Sequence, residues 1–162
     1  METPLENRHT DVSEIKKRLM AYRDIDRDID NQIERIENLE AKMCSIGSPE
    51  LSDMPKSPNT VGDRLASQIA LKCEMEDKVR SLIEHRDEER RWIEDILSHI
   101  KNPDERAVIE MRYIDVENWP DVSRMLFGRK VDYEDRMESY LRRTTKLHGR
   151  ALVSMAMAVA ES

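Results

Sequence analysis

Apolar side chains recur every seven residues from Ile15 through Tyr22, Ile29 and Ile36 to Met43, with Leu19, Ile25, Ile33 and Leu39 at the intermediate positions. That spacing confines the apolar surface to a narrow stripe on a helix, and a narrow stripe is buried most simply against another helix. The outer faces alternate in charge, as in RDIDRDID and ERIENLE, which suits a solvated coiled-coil surface. Asp11 followed by Glu14 offers a capping box, so the pattern predicts a helix of about 30 residues, about 45 Å long at 1.5 Å per residue. Gly47, Pro49, Pro55 and Pro58 stop it near Ile46, because a continuing helix would lose hydrogen bonds or clash there. Thr60 with Asp63 offers a second cap, after which Val61, Leu65, Ile69, Val79, Ile83, Ile93, Leu97 and Ile100 continue an apolar seam. Two such helices joined by a Pro/Ser-rich loop at 44–60 fold back as an antiparallel hairpin. Lys72, Arg86 and Arg90 interrupt the seam; their aliphatic stems snorkel along the partner helix, or they form a contact site for another protein.

Composition limits what else the chain can build. Of 162 residues, 38% are hydrophobic, 4% aromatic and another 38% charged, too little apolar mass for one thick globular core. The expected class is all-α: a flexible N-terminus at 1–10, a long helical hairpin at 11–100 and a small packed module at 101–160. The N-terminus lacks the apolar run of a secretion signal, and no stretch approaches the roughly 20 apolar residues that span a bilayer, so the expected location is the cytoplasm, with no membrane partner. Cys44 and Cys73 are too few and too far apart for a zinc site or a disulfide scaffold, and are expected to be buried or idle thiols. His85 and His99 lie outside any metal-binding spacing. There is no glycine-rich phosphate loop, nucleophile motif or metal-ligand cluster, so neither an enzyme nor a cofactor is expected.

The C-terminal third carries sharper signals. Asn102 caps a helix with Pro103 at its first position, Glu105 at its third and Ala107, Val108, Met111 and Ile114 on its apolar face. After DVEN, a second short helix is capped by Asn118, bears Trp119, Val122, Met125 and Leu126, and ends at Gly128. A third follows RKV, with Asp132 and Asp135 as cap and first-turn acid. At 100° per residue, the run from Ser139 onward puts Ser139, Arg142, Arg143, Lys146 and Arg150 on one side, and Tyr140, Leu141, Thr144, Leu147, Ala151 and Met155 on the other. No acid interrupts Ser139 to Arg150, although the formal net charge is -7. A local cation stripe on an acidic protein marks a phosphate-binding surface. Three short helices with a basic last one match a helix-turn-helix whose final helix enters the DNA major groove.

The stretch NPDERAVIEMRYIDVENWPDVSRMLFG resembles region 4 of bacterial sigma factors. Together with LRRTTKLHGRAL and the long helices ahead of it, the chain is similar, over roughly residues 40 to 155, to regulators of phages and prophages of Gram-positive bacteria related to RinA and ArpU. The most specific parts are Arg112 with Tyr113, Trp119, and LHGRAL from Leu147 to Leu152. The resemblance implies double-stranded DNA binding and control of transcription, with RNA polymerase as a further contact. On that basis Trp119, Val122, Leu126 and Leu147 form a small core, and Arg142, Arg143, Thr145 and Lys146 form the DNA face. Arg can bridge guanine O6 and N7, Lys or Arg can hold phosphates, and a Thr methyl can touch thymine. Arg150 and His148 would reach backbone phosphates or pack, and Gly149 would permit close backbone approach.

RKVDYEDRMES departs from the brief turn of a sigma region 4, since Glu134, Asp135 and Glu138 at the start of the last helix would repel DNA. Either that helix docks by its middle or the segment folds away as an extra turn. The competing readings are a solvated stripe that binds nothing, a protein-contact module, a coiled-coil adaptor, and a small-terminase-like DNA-packaging subunit. The seven-residue repeat can also join two chains as a homodimer through the hairpin.

Overall fold

The computed structural model describes the backbone of residues 4–45 and 58–161 and the side chains of residues 12–45 and 62–161. All regular structure among these residues is helical: α1 (Pro4–Ser45), α2 (Pro58–Ser98), α3 (Pro103–Ile109), α4 (Trp119–Phe127) and α5 (Met137–Glu161). α3 runs on into a π-helical turn at Glu110–Ile114, and a 3₁₀ turn at Glu134–Arg136 precedes α5. The helix α1 is 42 residues long and begins at Pro4, so Asp11 and Glu14 lie inside it rather than at its cap. Nothing between Pro4 and Asp11 breaks a helix, and proline itself suits a first turn. α2 likewise begins at Pro58, ahead of Thr60. Gly47, Pro49 and Pro55 lie outside the described residues.

The chain forms two compact units, Ile25–Asp87 and the combination of Met1–Asp24 with Glu88–Ser162. Within Ile25–Asp87, Ile25, Ile29 and Met75 are buried. Arg86 bridges to Asp26 at 3.1 Å and Lys72 to Glu40 at 2.7 Å, so the two helices run antiparallel here. These cations do more than lay their stems on apolar surface: each neutralises a carboxylate of the facing helix, and the hydrogen bond from Lys72 to Glu40 raises the pKa of that ammonium. Such partly wet pairs contribute about 0–1 kcal/mol each.

The apolar stripe is less complete than its spacing implies. Gln32 is buried at 7% exposure while neighbouring Ile33 is 40% exposed. The Gln32 carbonyl accepts from Arg35 at 3.1 Å and its amide donates to Asp28 at 3.5 Å, which satisfies it at the seam. Leu65 and Ile69 are also exposed, because a contact between two helices covers only a narrow strip. Cys44 and Cys73 are free and exposed, not buried.

The other unit holds the deeper core. Ile15, Leu19 and Tyr22 from α1, Ile93, Ile96, Leu97 and Ile100 from α2, Val108 and Ile109 from α3, Val122 and Phe127 from α4 and a full face of α5 are buried. Arg18 holds Glu89 through two hydrogen bonds of 2.6 and 2.8 Å and lies 3.6 Å over the Trp92 ring. Arg90 pairs with Glu94 along its own helix at 2.9 Å. The Asn102 side chain accepts from the Asp104 N–H at 2.9 Å, and Asn118 does the same for Asp121 at 2.9 Å, so both helix starts lie where the sequence placed them. α4 ends at Phe127 with Gly128 as its cap. Met125 is 55% exposed and does not join the core; Phe127 and Ser123 take the inward positions beside Val122. The face of α4 that packs on α5 is centred one residue away from the one inferred from Met125.

Candidate nucleic-acid interface

α5 separates its two sides cleanly. Thr144, Leu147, His148, Ala151, Leu152, Met155 and Ala158 are buried, while Ser139, Arg142, Arg143, Thr145, Lys146, Gly149 and Arg150 are exposed. All five residues proposed to touch DNA therefore lie on one wet surface. Their restraints differ. Arg142 reaches Glu138 one turn earlier at 3.5 Å, a loose pair of side chains 77% and 90% exposed, which water and salt weaken readily. The Arg143 guanidinium lies 5.0 Å over Phe127, whose ring stacks on Tyr140 at 5.3 Å. Thr145 donates its hydroxyl to the Arg142 carbonyl at 2.9 Å, leaving its methyl and oxygen lone pairs for a ligand. Lys146 and Arg150 form no ion pair within the described residues and flank Gly149 on a groove shared with Glu105, Val153 and Ser154. A Cβ at Gly149 would meet nothing within 4 Å.

The acidic segment mostly stays out of α5. The 3₁₀ turn at Glu134–Arg136 separates it from the helix, so Asp132 and Asp135 are not its cap and first-turn acid. Asp132 accepts a hydrogen bond from the Tyr140 hydroxyl at 2.7 Å and another from Arg136 at 3.3 Å. The Tyr140 bond is the main reason that the Asp132 pKa lies below its ordinary value. Of the acids at issue, only Glu138 lies in α5. Arg129 and Lys130, exposed in the connection just before this turn, are cations outside the set assigned from the sequence, although RK directly after Gly128 is a visible signal.

Behind the wet face, distant motifs meet. The Tyr113 hydroxyl lies 2.8 Å from His148 Nε2, and Trp119 meets the same imidazole edge-on with ring centres 4.9 Å apart. Arg112 lies 4.7 Å from the Trp119 ring centre and donates to the Glu117 carbonyl at 2.8 Å. Burial, reinforced by Lys16 and Arg112, lowers the His148 pKa to about 4. The ring is thus neutral near pH 7, and Nε2 accepts from Tyr113. His148 therefore packs and does not reach phosphate. Its place on the helical wheel, between Thr144 and Leu152, was readable from spacing. Trp119 and Leu126 are partly exposed, whereas Val122 and Leu147 are buried.

The turn into α4 is strained. Asp115 donates to the Glu110 carbonyl at 3.0 Å across the π turn, Glu117 donates to Met111 at 2.9 Å, and Val116 between them has φ of 60°. A β-branched residue in this left-handed region costs about 1–3 kcal/mol. The arrangement carries the chain from Tyr113, beneath α5, to the Asn118 cap of α4.

Among the described residues no helix is long and apolar enough to cross a membrane, and no three His, Cys, Asp or Glu side chains converge to hold a metal ion. No family model matches the chain, and neither curated proteins nor solved structures provide a match.

Proposed function

We propose that this chain is a cytoplasmic, sequence-specific DNA-binding regulator of transcription, of the phage or prophage kind that its motifs resemble, and not an enzyme. In this reading α4 and α5 form the helix-turn-helix, α1 and α2 form a coiled hairpin, and α5 enters the major groove. The observation that carries it is the uninterrupted exposed cation face of α5, on a protein whose net charge of -7 would otherwise repel a polyanion. Arg143, Lys146 and Arg150 hold backbone phosphates, which supplies affinity without sequence preference. Arg142 and Thr145 contact base edges, which supplies the preference. Withdrawal of Asp132 onto Tyr140 removes one negative charge from the approach. RNA polymerase is a second partner on this reading.

Selection of bound duplexes from a random pool, followed by titration of the best sequence at two salt concentrations, tests the proposal. Enrichment of one motif with affinity falling steeply as salt rises is the expected outcome. No enrichment, with weak binding even at low salt, would overturn it in favour of an assembly or protein-contact role.

A further inference from the structure

The outward face of α5 changes character past Arg150. Before that residue it is cationic; beyond it Val153 and Met157, one turn apart, are 47% and 60% exposed. Gly149 and Ala160 flank them and are exposed, and Ala156 is partly so. Small residues beside two larger apolar ones let a second helix approach closely. None of this surface is used by the DNA contacts assigned to Arg142, Arg143, Thr145 and Lys146.

The charges at the two ends of the patch say what fits it. Arg150 and Glu161 are exposed and form no ion pair within the described residues. They are eleven residues apart, about three turns, so they share one edge of the helix about 16 Å apart. We propose that this patch binds a second copy of the same chain, with the two α5 helices packed antiparallel about a twofold axis between residues 155 and 156. Antiparallel helices bring equivalent edges to the same side of the pair. Arg150 of each chain then comes level with Glu161 of the other, giving two symmetric ion pairs, and Val153 and Met157 pack against the other chain's Met157 and Val153. A parallel pairing would set Arg150 against Arg150 and Glu161 against Glu161, so the charge pattern selects the antiparallel arrangement. An apolar centre with opposite charges at its ends is self-complementary under a twofold axis, as an isologous contact requires. Arg150 is thereby reassigned from phosphate binding to the dimer contact.

Sedimentation equilibrium of the full chain without DNA, from low to high micromolar, tests this independently of the DNA-binding proposal. A monomer–dimer equilibrium is expected. Met157→Glu should weaken it by about tenfold or more, equivalent to 1.4 kcal/mol. Arg150→Glu and Glu161→Arg should each weaken it, and the two together should restore it, a rescue that unfolding cannot imitate. Retention of the native thermal melt by Met157→Glu shows that the variant is folded. A monomer at every concentration would overturn the proposal, as would a dimer indifferent to these changes, including one held through α1 and α2.

Discussion

His148 carries the largest displaced titration in the protein, and its sign is set by the interior around it. Burial penalises the imidazolium, Lys16 and Arg112 add repulsion, and the pKa falls from 6.5 to about 4. In the unfolded chain the imidazole takes up its proton near the ordinary value, so between those two pH values the unfolded state holds more protons than the folded one. The contribution of His148 to stability is therefore complete above about pH 6.5 and is lost progressively as pH falls toward 4. Its full size is roughly 3 kcal/mol, at 1.36 kcal/mol per pH unit. Urea unfolding of the native chain and His148→Gln at pH 7, 5.5 and 4.5 measures it. The glutamine amide oxygen can still accept from Tyr113 but the side chain does not titrate, so the variant should lose less stability over this window; parallel curves would show that His148 is not the responsible group. The neighbours of His148 also explain what the motif residues do. Arg112, Tyr113 and Trp119 were singled out by resemblance, and they support α5 from behind instead of facing a ligand.

α5 contains one internal glycine on its wet face. Glycine within a helix costs about 0.5–1 kcal/mol relative to alanine, and a Cβ at Gly149 has open space around it. Gly149→Ala should therefore raise stability by about 0.5–1 kcal/mol in thermal unfolding. If duplex DNA approaches this backbone closely, the same methyl should weaken binding, so stability and affinity move in opposite directions. A fall in stability would contradict the helix geometry; a rise with unchanged affinity would place DNA away from Gly149. Gly128 differs, since a Cβ there would strike the Arg124 carbonyl. The helix starts at Asn102 and Asn118 were readable because a cap depends on residues two or three positions away. The start of α5 was not. Asp132 has the chemistry of a cap, but Tyr140, eight residues later, takes its carboxylate, and local spacing does not reveal that competition.

For the whole molecule, the balance between overall negative charge and the local cations of α5 sets how DNA affinity depends on salt. Each phosphate neutralised changes the slope of log affinity against log salt by about 0.9. Replacing Arg142, Arg143 and Lys146 together by Ala should weaken binding and flatten that slope by about 2–3. All three are exposed, so the thermal melt should change little; unchanged affinity with an intact fold would refute the DNA-face assignment. Much of the molecule was determined by the sequence alone: an all-helical chain, breaks near residues 46 and 101, and the division of α5 into wet and dry sides. These follow from proline and glycine stereochemistry, capping and the helical repeat, all of which act over a few residues. Only the tertiary structure decided that Gln32 and Phe127 turn inward while Ile33 and Met125 do not, that Tyr113 meets His148 across 35 positions, and that the two compact units divide within α1 and α2 after residues 24 and 87. Those outcomes depend on which surfaces remain for a side chain once distant elements have packed, and local periodicity carries no information about that partner.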